Sequence, residues 1–130
     1  MTYGCTVSDR IPATPQAIYD AWMSSDRHSA MTGGRAEIDP RPGGVFQAWD
    51  GYITGTTFEL EPGRRIVQTW RTSDFAPDDP DSRIEVLLEL AEDGTLITLQ
   101  HTNIPEGQRG YEQGWRDNYF GPMRSFFTQP

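Results

Sequence analysis

The feature that most restricts this chain lies at its C-terminal end. Between Gln108 and Thr128, Tyr111 or Glu112, Trp115, Tyr119, Met123 and Phe126 recur three or four residues apart, which places large apolar side chains on one face of a helix. Such a face must be buried against an element of comparable size. Gly121-Pro122 interrupts the pattern. Proline removes one helical donor and crowds the carbonyl four residues earlier, so the helix should bend or break near Asn118.

What precedes that helix reads as strands and two short helices. Thr2 to Ile11 alternates loosely and reads as a strand. Thr14 is a good N-cap and Pro15 a good first helical residue, so Pro15 to Met23 is helical, with Ala17, Ile18, Ala21 and Trp22 on its apolar side. Ser25 or Asp26 caps a second short helix ending at Gly33-Gly34. Arg35 to Asp39 is a short strand, followed by a turn at Pro42-Gly43-Gly44. Val45 to Trp49 and Tyr52 to Leu60 form a hairpin through Asp50-Gly51. Gly55 is expected to let its strand bend or bulge. Pro62-Gly63 leads into Arg64 to Arg71, and Ala76 to Asp81 is an acidic, proline-rich solvated loop. Ser82 to Glu92 alternates strictly: Ile84, Val86, Leu88 and Leu90 should face the helix, and Arg83, Glu85 and Glu89 should face water. Asp93-Gly94 turns the chain into Thr95 to Thr102.

Antiparallel hairpins need a cover, and only the C-terminal helix is large enough to supply it. The expected fold class is therefore α+β. It is a helix-grip: a curved antiparallel sheet wrapped around a long C-terminal helix, with two short helices after the first strand. The 130 residues are expected to form a single domain. A curved sheet seldom meets a kinked helix along its whole length, and the gap is a natural ligand cavity.

Composition removes several functions. The net charge is −8, which argues against a protein that tracks nucleic-acid phosphates. The 11 basic residues are all arginine, so lysine Schiff-base chemistry and a phosphate-loop lysine are excluded. An arginine-only basic set also fits a GC-rich bacterial genome. Cys5 is the one cysteine, expected to be small and buried, and it has no partner within the chain for a disulfide. No apolar run nears the roughly 18 residues of a membrane span. The first residues carry no basic-then-apolar leader, so the expected location is the cytoplasm. Neither His28 nor His101 has a histidine or cysteine three or four residues away, so no metal and no cofactor is expected.

Several strings then carry a resemblance. They are Ile11-Pro12-Ala13-Thr14-Pro15 leading to Ile18-Tyr19-Asp20-Ala21-Trp22; Pro42-Gly43-Gly44-Val45-Phe46; Asp50-Gly51-Tyr52-Ile53-Thr54-Gly55; Ile66-Val67-Gln68-Thr69-Trp70-Arg71; Thr98 to Pro105; and Gly114-Trp115 through Tyr119-Phe120-Gly121-Pro122-Met123. In this order the sequence resembles the START-like (SRPBCC, pollen-allergen-type) superfamily. Within it, the sequence is similar to the family of the C-terminal domain of the activator of heat-shock protein 90 ATPase. The resemblance implies the helix-grip fold and its cavity but no reaction, because that family has no universal catalytic motif. The eukaryotic activator carries a further N-terminal domain to which nothing in this sequence corresponds.

The residues expected to line the cavity are Tyr52, Thr54, Phe58, Trp70, His101, Trp115, Tyr119 and Met123, with Leu60 and Phe126 also on the inner faces. His101 shares parity with Ile97 and Leu99 and should lean toward the helix. His28 is expected to be exposed or capping. Arg71 either faces inward to hold a carboxylate or is a surface charge at a strand end. Asp78, Asp79, Asp81, Glu59 and Glu61 should be solvated, and no Gly-x-Ser-x-Gly elbow occurs. The expected function is binding of an apolar or lipid-like small molecule, without defined catalysis. The alternatives are a chaperone-associated interaction module with a protein partner and a cyclase- or hydrolase-like enzyme.

Overall fold

The computed structural model describes residues 2–128. The elements are β1 (Thr2–Ile11), α1 (Pro15–Met23), α2 (Ser25–Thr32), β2 (Glu37–Ile38), β3 (Val45–Ala48), β4 (Ile53–Glu61), β5 (Arg65–Thr72), β6 (Ser82–Ala91), β7 (Gly94–Pro105), α3 (Tyr111–Trp115), a π-helical turn (Arg116–Phe120) and α4 (Gly121–Thr128). The seven strands form one sheet in the order β1-β7-β6-β5-β4-β3-β2, antiparallel at every step. The first strand thus lies beside the last. Ile66, Ile84, Val86, Ile97 and Leu99 of the sheet are buried with Trp115, Tyr119, Phe120 and Met123 of the C-terminal segment. That is a helix-grip.

Local capping explains the short helices. The Thr14 hydroxyl accepts the Ala17 N–H at 3.1 Å, and Pro15 opens α1 where its missing N–H costs nothing. The cap of α2 is Ser24, not Ser25 or Asp26: its hydroxyl accepts the Arg27 N–H at 3.2 Å. Ser25 is occupied elsewhere, accepting the Ile38 N–H at 2.8 Å and so tying α2 to β2. Gly33 ends α2 with φ +87°, a conformation that favours glycine.

On β6, Ile84, Val86 and Leu88 are buried and Arg83 and Glu89 exposed, as alternation requires, with Glu85 half-buried. Leu90 departs from the pattern, being 79% exposed. It lies one pair short of the Ala91–Gly94 tip, at the end of the sheet, where nothing covers its face. Cys5 is half-buried on β1.

On β4 the parity itself breaks. The register shifts between Thr57 and Glu59, a bulge that puts two residues opposite one and swaps the faces beyond it. Ile53 and Thr57 are therefore buried, Thr54 is exposed and Phe58 is 54% exposed, while Leu60, past the bulge, packs on the core. Thr54 and Phe58 were expected on the inner face and stand outside. Gly55 is not the bulge. It pairs in register with Phe46, and a Cβ there would lie 2.2 Å from the Thr69 carbonyl and 2.5 Å from the Phe46 ring.

The C-terminal helix begins at Tyr111, three residues later than its periodicity indicates, and it is interrupted as expected. Across Arg116–Phe120 the turn widens, and the Gly121 N–H reaches back five residues to the Arg116 carbonyl. Pro122 cannot supply the next donor, and its ring would collide with the Asn118 carbonyl in a regular helix; the widened turn accommodates both. It also brings Phe120 inward beside Tyr119, and both are buried.

Candidate functional site

Between the sheet and the start of the C-terminal helix lies a cleft of about 490 Å³. Its inner wall is Ile53 of β4, Trp70 of β5, Trp115 of α3 and Tyr119 of the π turn. Trp49 and Tyr52, from the loop joining β3 to β4, form one side. Thr72 and Asp74, at the end of β5 and just beyond, form another. Gln108 to Tyr111, Gly114 and Asn118 complete the rim. The β3–β4 loop is longer than the two residues expected, since Ala48 pairs with Ile53. Trp49, Asp50 and Gly51 all have positive φ (54°, 58°, 90°). That is costly for a tryptophan. The Trp49 ring lies against Gly34, where a Cβ would come within 2.5 Å of it.

Of the residues expected to line a cavity, Tyr52, Trp70, Trp115 and Tyr119 meet at this cleft. Thr54 and Phe58 do not, because of the β4 bulge. His101 and Met123 are fully buried and lie behind the wall rather than in it. Phe126 packs half-buried against the core. Trp49, Asp74, Gln108, Arg109 and Tyr111 are the large or charged additions. Tyr111 was visible as a member of the helix face. The others come from loops, whose positions depend on long-range contacts.

The rim is tied by hydrogen bonds. The Tyr52 hydroxyl donates to Asp74 Oδ2 at 2.6 Å. The Gln108 amide donates to the Asp74 carbonyl at 3.1 Å, and the Tyr111 hydroxyl donates to Gln108 Oε1 at 3.3 Å. Tyr3, from β1, donates to the Gln108 carbonyl at 2.6 Å. The bond to Asp74 pushes the Tyr52 phenol up, and burial pushes Tyr111 up to about 12. Both phenols stay protonated at neutral pH.

Two buried histidines hold the wall from behind. The Trp115 indole N–H donates to His101 Nδ1 at 3.1 Å. That fixes the tautomer: Nε2 carries the proton and donates to the Ser82 hydroxyl at 2.7 Å, which in turn donates to the Trp70 carbonyl. Both tryptophans of the wall are thus held by one imidazole. Burial lowers the His101 pKa to about 3, so the ring is neutral. His28, expected to be exposed or capping, is instead 1% exposed. Trp22 and Tyr119 flank it. Its Nδ1–H donates to the Trp22 carbonyl at 2.9 Å, and its Nε2 accepts the Tyr119 hydroxyl proton at 3.0 Å. A polar helix with little apolar patterning gives no sign in sequence that its histidine points inward.

Arg71 faces the acidic loop and not the cleft. It donates to the Asp79 carbonyl at 2.6 Å and the Ala76 carbonyl at 2.8 Å, pairs with Asp81 at 3.2 Å and lies over the Phe75 ring. Among the described residues, no three His, Cys, Asp or Glu side chains are placed to hold a metal ion, and no helix is long and apolar enough to cross a membrane.

Comparison with known proteins places this geometry. Residues 12–127 match the family model described as activator of Hsp90 ATPase homolog 1-like protein. The chain belongs to that family. Among curated relatives it is similar to an uncharacterized protein of Schizosaccharomyces pombe, 28% identical over 88% of this chain and 34% of that protein. It is also similar to the activator of 90 kDa heat shock protein ATPase homolog of Dictyostelium discoideum, 25% identical over 94% and 32%. The chain spans about a third of the length of these relatives. Among solved structures, an HSP90 activator from Plasmodium falciparum superposes with a TM-score of 0.84 at 23% identity over 98% of each chain. CalU16 from Micromonospora echinospora gives 0.79 at 25% identity, over 96% of this chain and 76% of that one. In this member of the Hsp90-activator-like family, the family match takes in the cleft residues from Trp49 to Tyr119.

Proposed function

We propose that this protein, acting as one START-like domain, binds a small, mostly apolar molecule in the cleft between the β3–β4 loop and the start of the C-terminal helix. One observation carries this reading: a cleft of about 490 Å³ with an apolar, largely aromatic inner wall and polar groups confined to its rim. Binding sites for small molecules commonly have that composition and size. The wall is held by hydrogen bonds from behind, so it is formed before a ligand arrives. Neither histidine is free to take a substrate proton, since each has both ring nitrogens engaged. Binding without catalysis is therefore the reading we favour. An acidic chain with one cysteine suits a reducing aqueous compartment, and we place the protein in the cytoplasm.

The test is a panel of lipids and aromatic metabolites, read by tryptophan fluorescence and thermal melting. A ligand should quench Trp70 and Trp115 and raise the melting temperature, because binding only the folded state stabilises it. Trp70→Leu should weaken binding. A panel that moves neither signal overturns the reading.

A second reading is an interaction module of the Hsp90-activator type. Val45 and Phe58 favour it, being 67% and 54% exposed. They lie near each other on the outer face of the sheet, since Val45 pairs with Thr56. Phe58→Ser should abolish stimulation of an Hsp90 ATPase if that face docks; equal activity of variant and parent excludes it.

A further inference from the structure

Resting on that reading of the cleft, we infer that its ligand is an organic ammonium ion: an alkylated, positively charged nitrogen joined to an apolar body. Six aromatic rings line the cleft, those of Trp49, Tyr52, Trp70, Tyr111, Trp115 and Tyr119, beside Ile53 and the polar groups of Thr72 and the rim. Aromatic faces carry partial negative charge and attract cations, and cages of such rings recognise quaternary ammonium groups. The rings of the inner wall do not lie in one flat stack. Trp70 and Trp115 are inclined by 47° at 4.8 Å, Trp115 and Tyr119 by 52° at 4.9 Å, and Trp70 and Tyr119 by 69° at 6.0 Å. They pack on one another and are nearly buried, so they form the floor, and the rings open to a rounded group are those of Trp49, Tyr52 and Tyr111 around Asp74.

The rim supplies a counter-charge. Asp74 Oδ2 accepts the Tyr52 hydroxyl, while Oδ1 accepts no hydrogen bond and pairs with no arginine among the described residues. Arg109 shares the rim but, unlike Asp74, makes no hydrogen bond to the aromatic residues of the cleft among the described residues. The charge of Asp74 acts on Tyr52 and on Tyr111. An anionic ligand would face Asp74 and find both phenols already donating, to Asp74 and to Gln108. A neutral apolar ligand would strip water from a carboxylate and return nothing. A cation answers both, and the net charge of −8 draws it in.

The probes are choline and its neutral carbon isostere 3,3-dimethylbutan-1-ol, titrated into the full chain and followed by the tryptophan indole N–H resonances. Choline should shift the Trp49, Trp70 and Trp115 signals saturably and bind about tenfold more tightly than the alcohol. Asp74→Asn keeps an acceptor for Tyr52. It should lower choline affinity about five- to tenfold, leave the alcohol's unchanged and leave the melting temperature near that of the parent. Equal affinity of the two probes overturns the cation inference and leaves an apolar cleft standing. No saturable shift with choline up to tens of millimolar also overturns it, whether or not the lipid and metabolite panel binds; failure of that panel as well removes the cleft reading too.

Discussion

His101 joins three elements through single hydrogen bonds: α3 through Trp115, β6 through Ser82 and, by way of that hydroxyl, β5 at Trp70. Each bond has only one workable direction, because the indole can only donate and the carbonyl can only accept. Trp115→Phe should therefore keep most of the packing but orphan Nδ1, costing about 1–3 kcal/mol. Trp115→Ala removes the packing as well and should cost about 3–5 kcal/mol. Chemical denaturation of the two variants separates the contributions. The neutral rings also set a pH dependence. His28 and His101 both have pKa values lowered by burial, His101 to about 3, whereas the unfolded chain takes up those protons near 6.5. Below about pH 6.5 the unfolded state binds more protons, so stability falls as pH drops toward 3. It should fall by up to about 1.4 kcal/mol per pH unit for each ring. Melting between pH 7.5 and 5 should show the loss, and His101 imidazole nitrogen shifts that do not move over that range would confirm that this ring stays neutral. A melting temperature that rises on acidification would contradict the assignment.

Elements here are shaped by where backbones approach one another as much as by side-chain patterning. Gly55 sits where β4 crosses the Thr69 carbonyl and the Phe46 ring, with no room for a methyl group. Gly55→Ala should destabilise the protein by at least about 2 kcal/mol, whereas Phe58→Ser, in the bulge and exposed, should lie within about 0.5 kcal/mol of the parent. Equilibrium unfolding of both variants checks this. The contrast also shows what could be read from the sequence. Alternation on β6 from Arg83 to Glu89, the Thr14–Pro15 helix start and the buried face of Trp115, Tyr119 and Met123 follow from local periodicity and are present as expected. The β4 bulge, the four-residue loop carrying Trp49 and the widened turn over 116–120 each add or shift a residue, so counting by twos or by threes and fours fails beyond them. Phe58 and Thr54 were assigned to the cavity for that reason. Asp74, Gln108 and Arg109 reach the cleft from turns, which have no period to count. His28 is buried by its neighbours Trp22 and Tyr119, and the second of these is 91 residues away.

At the level of the whole molecule, the sheet and the C-terminal segment enclose the cleft from opposite sides, and a ligand bridging them should stabilise both together. At a hundred times its dissociation constant a ligand should add about 2.7 kcal/mol to the unfolding free energy, measurable as a shifted denaturation midpoint with an unchanged slope. The same architecture has a consequence for how the protein is made. β1 leaves the ribosome before the other six strands of this sheet, yet its partner is β7, with Thr2 opposite Pro105 and Ile11 opposite Thr95. The ten residues of β1 must wait, unpaired, until the chain has been synthesised as far as β7. Translation at roughly 5–20 residues per second makes that a delay of several seconds. A nascent chain halted before Gly94 should be readily digested by protease, and one extended to include the last strand and helix should resist. Until then a strand edge stands open to any other chain that can pair with it, so during synthesis this fold depends on timing and on whatever shields β1 until β7 arrives.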